Sequence, residues 1–456
     1  MKLSQLFFLT TIFATSLIAQ PTLERKIAEM IMVGFTGITV PESLKVDLTN
    51  RGLGGVLLFA NNIKDPLQVQ TLTSQLKNLS TGFLLIAVDQ EGGKVARLSS
   101  SNGFSATPTA YTLGTIINKE DSTRAAASLM AGWLQQSGFT INFAPVADVN
   151  VNPLSPAIGK SERSYSNNPD TVSRHIGWFI DEFHKKKIIT TLKHFPGHGS
   201  AISDSHLGFT DISSTWTNAE LIPFRSAIER GIADLIMVGH LYNSTIDSVY
   251  PASLSHTTVT TLLRDSLHYN GVVISDELFM KAIDANYAFD DALELCVKSG
   301  TDILLFGKSI YNTRSLTAYI INSISGKVKN RAIAEYMIDS AYQRIQRLKK
   351  RIVTNAIFAS ANIPKESMLF ANYPNPFNDA TSIRYQLHTS GTVTIKVFDI
   401  LGRDVATVVH EQQSAGIYSV QFQIGNGSVP LLPSGIYFYR LQSGNYFETK
   451  RMLYIK

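Results

Sequence analysis

Short apolar stretches alternate with segments of helical periodicity over most of the chain. The apolar stretches are rich in Val, Ile and Leu, as expected for strands buried on both faces of a parallel sheet. They are predicted at residues 30–34, 55–59, 83–88, 141–145, 188–192, 234–238, 271–275 and 302–306. Helices are predicted at residues 68–78, 122–137, 170–186, 217–230, 258–267, 289–299 and 316–325. Eight strands that alternate with helices favour a TIM-type (β/α)8 barrel, and a doubly wound open sheet is the alternative.

A polar residue ends or directly follows several of the predicted strands. These residues are Asp89, Asp148, Lys193, His194, His240 and Asp276. The strands of a barrel present their carboxyl ends at one rim, where enzymes of this fold hold their active sites. In an open sheet the same residues would be spread along a line. The strand ends therefore favour an α/β barrel with one polar pocket that suits a sugar.

The periodicity changes after a long basic segment at residues 331–351. Apolar and polar residues then alternate at a period of two, which predicts strands. These strands cover residues 381–387, 392–398, 417–422 and 435–441. We predict a small all-β Ig-like sandwich that follows the barrel. The predicted boundaries are 21–360 for the barrel, 361–369 for a linker and 370–456 for the sandwich.

The amino terminus has the layout of a secretory signal peptide. Lys2 precedes an apolar run over residues 6–19, and Gln20-Pro21 follows it. This run is too short to cross a bilayer, which needs roughly 20 apolar residues. A buried amino-terminal helix is the alternative. We expect residues 1–20 to be removed and the mature protein, which has no predicted membrane span, to be secreted or attached to the cell surface.

Composition narrows the class of protein. The chain has 456 residues, of which 44% are hydrophobic and 17% are charged, as in a globular protein. The formal net charge of +5 is too small and too scattered to predict a nucleic-acid surface. The single cysteine, Cys296, lies in an apolar helical pattern and cannot form an internal disulfide, so we assign it no chemistry.

A histidine-rich segment follows the fifth predicted strand. Residues 193–199 read Lys-His-Phe-Pro-Gly-His-Gly, and residues 204–206 read Asp-Ser-His. A zinc site would need a helix to align the first two histidines, and Pro196 with Gly197 breaks any such helix, so no metal is predicted. Asp204 is close enough to His206 to bind one imidazole nitrogen and to raise the basicity of the other. His206 could then shuttle a proton, although a structural loop pair is the alternative.

Asp276 stands at the tip of the apolar strand at residues 271–275. A carboxylate in that position is costly unless it is functional or caps a helix. Hydrolysis of a glycoside with retention needs one nucleophile and one proton donor, and Asp276 with His206 could supply them. Strand alternation predicts that the neighbouring Glu277 points the other way. A helix N-cap is the alternative role for Asp276.

Six segments together resemble glycoside hydrolase family 3, in particular its β-N-acetylglucosaminidase branch. They are Asp89-Gln-Glu-Gly-Gly with Arg97; residues 142–148 (Asn-Phe-Ala-Pro-Val-Ala-Asp); Ile158-Gly159 with Arg163-Ser164; residues 193–199; residues 204–206; and Ile274-Ser-Asp276. The resemblance covers residues 22–353. The six segments occur in the family's order and at plausible spacing, which makes the joint match specific.

The resemblance implies a retaining, exo-acting β-N-acetylhexosaminidase that uses no metal or organic cofactor. Asp276 would be the nucleophile, and His206, partnered by Asp204, would be the acid/base. The resemblance also implies that five side chains surround the terminal sugar: Asp89, Arg97, Arg163, Lys193 and His194. The glutamate acid/base of other family members, which comes from a second domain, is not expected here.

This sequence departs from the family pattern at three places. Lys94 stands where arginine is common. The segment before Arg163 is two residues longer than the compact form, which makes the alignment of Arg163 less secure. Residues 207–210 (Leu-Gly-Phe-Thr) replace a proline-ended continuation of the histidine loop, so loop closure is expected to differ.

The carboxy-terminal segment resembles the sorting domain of type IX secretion substrates. The residues that carry this resemblance are 372–378, 401–403 and 433–440. It implies export by the signal peptide and then by the type IX secretion machinery. A carbohydrate-binding or spacer module is the alternative.

The expected substrates are peptidoglycan fragments, chitin oligosaccharides or glycoconjugates with a terminal β-linked N-acetylglucosamine. Three alternatives remain open from the sequence. A β-N-acetylglucosaminide phosphorylase fits because a neutral histidine leaves room for an anionic acceptor. A β-glucosidase of the same family and a non-catalytic surface glycan-binding protein are the other two.

Overall fold

The computed structural model describes residues 20–205, 207–360, 366–372, 374–389, 391–413, 416–425 and 429–456. Residues 1–19 of the predicted signal peptide, most of the predicted linker and the predicted acid/base His206 lie outside the described residues. The chain divides into two compact units, one that ends at Ile352 and one that begins at Val353. Each unit is described by itself below.

Twelve strands are described in the first unit. They are β1 (Ile31–Gly34), β2 (Gly55–Leu58), β3 (Leu85–Val88), β4 (Gln90–Gly92), β5 (Val95–Ala96), β6 (Ile141–Asn142), β7 (Ile189–Phe195), β8 (Leu235–Val238), β9 (Val272–Ser275), β10 (Leu304–Phe306), β11 (Ile310–Tyr311) and β12 (Arg314–Ser315). Eight of them form one parallel sheet in the order β10-β1-β2-β3-β6-β7-β8-β9. A parallel bridge between Ile274 and Ile303 joins the two ends of this sheet. The predicted barrel is therefore confirmed, and all eight predicted strands belong to it.

Helices follow most of the barrel strands. They are α1 (Leu23–Glu29), α2 (Glu42–Val46), α3 (Pro66–Leu79), α4 (Glu120–Gln136), α5 (Pro169–Lys185), α6 (Ile222–Glu229), α7 (Lys281–Asp284), α8 (Phe289–Ser299), α9 (Leu316–Lys329) and α10 (Glu335–Ser360). The helix predicted at residues 258–267 is a π-helical segment, Thr257–Ser266. Helix α3 begins as expected, because Asp65 caps it and Pro66 occupies its first turn. Within the described part of the chain, no helix combines the length and the apolar composition needed to cross a membrane.

The barrel strands are buried on both faces. All four residues are buried in each of the strands β1, β2, β3, β8 and β9. The helices cover the outer face of the barrel, and apolar side chains fill its inside. A ligand site is therefore expected at the carboxyl ends of the strands and in the loops that follow them.

The second unit contains two antiparallel sheets. Its strands are β13 (Met368–Leu369), β14 (Ala380–Leu387), β15 (Gly391–Phe398), β16 (Asp404–Gln413), β17 (Gly416–Gln423), β18 (Gly435–Ser443) and β19 (Tyr446–Tyr454). The sheet orders are β13-β14-β17 and β16-β15-β18-β19. Side chains from both sheets form one buried core, which includes Ile383, Tyr385, Ile395 and Tyr439. The predicted small all-β sandwich is confirmed, with three edge strands, β13, β16 and β19, that the sequence pattern did not predict.

Candidate active site

A cavity of about 450 Å³ lies at the carboxyl ends of the barrel strands. Its lining includes four apolar side chains from the inner strands and the segment after β6: Leu57, Phe143, Met237 and Leu305. Its charged and polar lining consists of Asp89, Glu91, Arg97, Ser161, Arg163, Lys193, His194, Asp204, Asp276 and Glu277. Seven of the eight predicted site residues are in this set, and the eighth, His206, is outside the described residues. The cavity thus brings the predicted residues together, while the role of each stays a prediction.

Lys193 is the centre of the charged cluster in this cavity. Its Nζ lies 2.7 Å from Oδ1 of Asp89 and 2.8 Å from Oε1 of Glu91. Glu91 also accepts two hydrogen bonds from Arg163, from Nε at 2.8 Å and from Nη2 at 2.8 Å. Burial favours a raised pKa for Glu91, but the charges of Arg163 and Lys193 outweigh it and hold this pKa well below its usual range. Glu91 therefore fixes two cations that point at the cavity.

The hairpin formed by β4 and β5 brings Glu91 and Arg97 to the cavity. Gln90 holds the hairpin closed, because its side chain donates to the carbonyl of Leu98 at 3.0 Å and accepts from the amide of Leu98 at 2.9 Å. Arg97 Nη2 lies 3.4 Å from Oδ2 of Asp89, the oxygen that Lys193 does not contact. Both oxygens of Asp89 thus face cations.

His194 is oriented by a buried carboxylate behind the cavity. Asp148 is fully buried, and its Oδ2 lies 2.7 Å from Nδ1 of His194. Its Oδ1 accepts hydrogen bonds from the backbone amides of His194 at 3.0 Å and His198 at 2.8 Å. Because Nδ1 donates to Asp148, Nε2 of His194 faces Arg163 Nη2, at 3.4 Å. Asp148, one of the strand-end residues, therefore supports the site from behind and does not line the cavity.

Asp276 and Glu277 both line the cavity, so the expected opposite orientation of Glu277 is wrong. Strand β9 ends at Ser275, and strand alternation does not apply beyond it. The amide of Glu277 donates to Oδ1 of Asp276 at 2.8 Å, and Oε1 of Glu277 accepts from the amide of Gly307 at 2.8 Å. Burial, and then the nearby charge of Asp276, raises the pKa of Glu277.

The N-cap alternative for Asp276 is also wrong. The next helix, α7, begins at Lys281, and its N-cap is Met280. The backbone of Asp276 is tied to the neighbouring barrel strand, since its amide donates to the carbonyl of Val238 at 3.0 Å. The carboxylate is therefore held on the cavity wall and caps no helix.

His240, another strand-end residue, lies behind the cavity. Its Nδ1 is 2.7 Å from Oγ of Ser253, and its Nε2 is 2.9 Å from the carbonyl oxygen of Glu277. It is almost fully buried and does not line the cavity. His240 therefore supports the backbone next to Asp276.

The histidine-rich loop rests on a buried glutamate. Oε2 of Glu220 accepts hydrogen bonds from the amides of Gly199 at 3.1 Å and Ser200 at 3.3 Å. Gly199 fits because a Cβ atom there would lie 1.6 Å from the carbonyl oxygen of Val149. Burial raises the pKa of Glu220 to about 7, and the charge of Asp148 acts in the same direction.

The raised pKa of Glu220 predicts a pH-dependent stability. Since the pKa rises from 4.5 to about 7 on folding, the folded state binds more protons, and the contribution of Glu220 to stability is full below pH 4.5 and is lost as the pH rises through 7. The loss should be about 3 kcal/mol in the wild type and absent in Glu220→Gln. Urea unfolding from pH 4.5 to 8 checks this, and tryptophan fluorescence reports the barrel alone because all three tryptophans lie in the first unit. Parallel pH profiles of the two proteins would contradict the prediction.

Comparison with known proteins identifies the family. The sequence profile of the glycosyl hydrolase family 3 N-terminal domain matches residues 22–348. This match spans the barrel strands and every charged residue of the cavity. The chain belongs to glycosyl hydrolase family 3. The predicted class, a glycoside hydrolase, is therefore confirmed.

Individual family 3 relatives are similar over the same region. A beta-hexosaminidase from Tolumonas auensis is 32% identical over 306 residues, which are 66% of this chain and 88% of that protein. Beta-hexosaminidase A from Pseudoalteromonas piscicida is 30% identical over 348 residues, which are 71% of this chain but only 58% of that protein. The structure of a family 3 beta-N-acetylglucosaminidase from a Paenibacillus species has a TM-score of 0.69 and 32% identity, and the similarity covers 74% of this chain and 64% of that one.

The carboxy-terminal unit matches a second profile. The secretion system C-terminal sorting domain covers residues 371–456. This confirms the predicted sorting domain and supports secretion or attachment to the cell surface.

Three residues that support the cavity received no role in the sequence analysis: Glu91, Asp148 and Glu220. A signal existed for Glu91, because residues 89 and 91 lie two apart in an extended segment and therefore share a side. Asp148 was noted as a strand-end residue, but no pattern indicated that it would orient His194. Nothing in the sequence near Glu220 links it to a loop about 20 residues earlier, since this contact depends on tertiary packing.

Proposed function

We propose that this protein is a retaining β-N-acetylhexosaminidase that removes terminal β-linked N-acetylglucosamine. One observation carries the proposal: Asp276 and Asp204 line the same cavity as the Asp89, Lys193, Glu91 and Arg163 cluster in a family 3 barrel. The names of the relatives point to the same activity, since two of them are beta-hexosaminidases. Peptidoglycan fragments, chitin oligosaccharides and glycoconjugates are the proposed sources of the sugar.

Two steps account for the reaction. Asp276 attacks the anomeric carbon, the glycosidic bond breaks, and His206, partnered by Asp204, gives a proton to the leaving oxygen. Water then attacks the covalent glycosyl-enzyme and passes its proton to His206, which frees Asp276. The hydrogen bond from the amide of Glu277 to Oδ1 of Asp276 and the backbone hydrogen bond to Val238 support Asp276 as a fixed nucleophile.

The charged cluster would hold the terminal sugar. Asp89 and Nε2 of His194 would accept hydrogen bonds from sugar hydroxyl groups, while Lys193, Arg97 and Arg163 would donate to the ring substituents and the acetamido group. Most of these groups are already paired within the protein, so they need little reorganisation when the sugar binds.

The acid/base role of His206 is tested by leaving-group dependence. For His206→Ala, kcat/KM on methyl N-acetyl-β-glucosaminide should fall about 10²- to 10⁴-fold, because its alkoxide must be protonated as it leaves. On the 2,4-dinitrophenyl glycoside, whose leaving group needs no proton, the same variant should lose less than about tenfold. The exposed His256 lies outside the cavity, and His256→Ala should change neither value. Equal losses on the two substrates would contradict the role.

The same assay separates the alternative activities. Release of sugar 1-phosphate in phosphate buffer would indicate a phosphorylase, and equal rates on the glucoside and the N-acetylglucosaminide would indicate a β-glucosidase. Binding without any turnover would indicate a glycan-binding protein. The proposal requires free N-acetylglucosamine and a strong preference for the acetamido sugar.

We infer that the sorting domain delivers the enzyme to the cell surface or beyond through the type IX secretion machinery. The match to a secretion system sorting domain supports this inference. The predicted signal peptide would direct transport across the inner membrane, before the sorting domain acts.

A further inference from the structure

Five large apolar side chains stand exposed on two loops beside the cavity. They are Val151, Leu154, Ile202, Leu207 and Phe209, with exposed fractions of 43%, 70%, 68%, 74% and 51%. We call them the rim patch. Scattered exposed apolar residues are common on proteins, but a group on neighbouring loops marks a binding surface.

Hydrogen bonds join the two loops into one surface. Asn152 donates from its backbone amide to the carbonyl of Gly199 at 3.0 Å and from Nδ2 to the carbonyl of Ala201 at 3.1 Å. Phe209 is held at the other end, because its ring lies 5.2 Å from that of Tyr242. The rim patch is therefore held at one end by the hydrogen bonds of Asn152 and at the other end by the ring contact of Phe209.

Both loops of the rim patch also form walls of the cavity. Asp204 lines the cavity from the loop that carries Ile202 and Leu207. Pro156 and Ala157 line it from the loop that carries Leu154. The rim patch is thus continuous with the cavity that would hold the terminal sugar.

The mechanism of cleavage indicates which part of the substrate would contact the rim patch. The acid/base must touch the leaving oxygen, and it is assigned to residues 204–206, between Ile202 and Leu207. Whatever is attached to that oxygen must therefore lie against this loop. Resting on the proposed function, we propose that the rim patch is a leaving-group subsite that takes an apolar aglycone, such as an alkyl or aryl group. Aliphatic side chains such as Leu207, Ile202 and Leu154 offer apolar contact and no hydrogen bonds to sugar hydroxyl groups.

A series of alkyl N-acetyl-β-glucosaminides tests this subsite. From propyl to heptyl the released alcohols have nearly equal acidity, so bond cleavage is equally difficult and kcat/KM reports contact with the chain. A fully buried methylene group is worth about fourfold. The partly open patch should give about a twofold rise per methylene group, and Leu207→Ala/Phe209→Ala should remove most of that rise. Leu129→Ala, which removes an exposed leucine on the outer helix α4, should retain it.

The outcomes separate this inference from the proposed function. If the wild type cleaves the methyl glycoside but shows no rise with chain length, the subsite is wrong and the activity stands. A rise that persists in the double variant also overturns it. A double variant that retains the rise but loses self-association in sedimentation would assign the patch to contacts between copies of the chain. If no member of the series is cleaved, the proposed function fails and the inference fails with it.

Discussion

Replacing Asp276 by asparagine should lower kcat by about 10⁴-fold on every β-N-acetylglucosaminide, which corresponds to about 5 kcal/mol of activation free energy. The amide has nearly the same size, and it can still accept the hydrogen bond from the amide of Glu277. It cannot attack the anomeric carbon as a carboxylate does, and it cannot stabilise the developing positive charge of the sugar. Steady-state hydrolysis of the 2,4-dinitrophenyl glycoside measures the loss even when it is large.

Azide distinguishes a lost nucleophile from a distorted site. In Asp276→Gly, azide can enter the space left by the carboxylate and attack the activated substrate, which gives the α-glycosyl azide. In His206→Ala, azide should attack the glycosyl-enzyme and give the β-glycosyl azide, because Asp276 is still present. Formation of the β product by the Asp276 variant, or an Asp276→Asn variant with more than about a tenth of wild-type activity, would contradict the assignment.

The barrel could be predicted because its signal is local. Each barrel strand was predicted from an apolar run of five or six residues, and such a run is visible in the sequence because these strands are buried on both faces. In the second unit, strands that alternate cleanly were predicted, whereas β16 and β19 were not. These two lie at the edges of their sheet, and their exposed positions carry residues such as Glu411 and Arg451, which blur the pattern.

Only those site residues that lie at strand ends or in family motifs could be predicted from the sequence. Asp89 and Asp276 directly follow strands, Lys193 lies near the end of β7, and the barrel brings such residues together whatever lies between them. Glu277 was misplaced because the alternation rule was carried two residues past the end of β9. The support from Glu220 could not be predicted, since it depends on how the segment after β7 folds back over the barrel.

The contacts of Glu91 predict the largest combined loss of stability and activity. Glu91 is buried and binds both Lys193, which is also buried, and Arg163, whose side chain is 11% exposed. Glu91→Ala would leave two cations facing each other with one partner, Asp89, so the free energy of unfolding should fall by about 3–5 kcal/mol. The same cations would move away from the sugar, and kcat/KM should fall about 100-fold or more. Tryptophan fluorescence during urea unfolding and hydrolysis of the methyl glycoside measure the two effects.

Two further variants serve as controls. One tests whether the charge of Glu91 matters beyond its size, and the other tests whether the loss of any ion pair would have the same effect. Glu91→Gln keeps the size and one acceptor oxygen, so it should lose less stability than Glu91→Ala while Arg163 retains one hydrogen bond. Glu42→Ala removes an exposed carboxylate that pairs with Lys45 at 2.8 Å in helix α2, and it should change stability by less than about 1 kcal/mol. If Glu91→Ala were as stable as Glu42→Ala, the two cations would not depend on Glu91. Glu91→Ala should lose more stability than Glu42→Ala because water can solvate Lys45 after its partner is removed, whereas Lys193 is only 2% exposed.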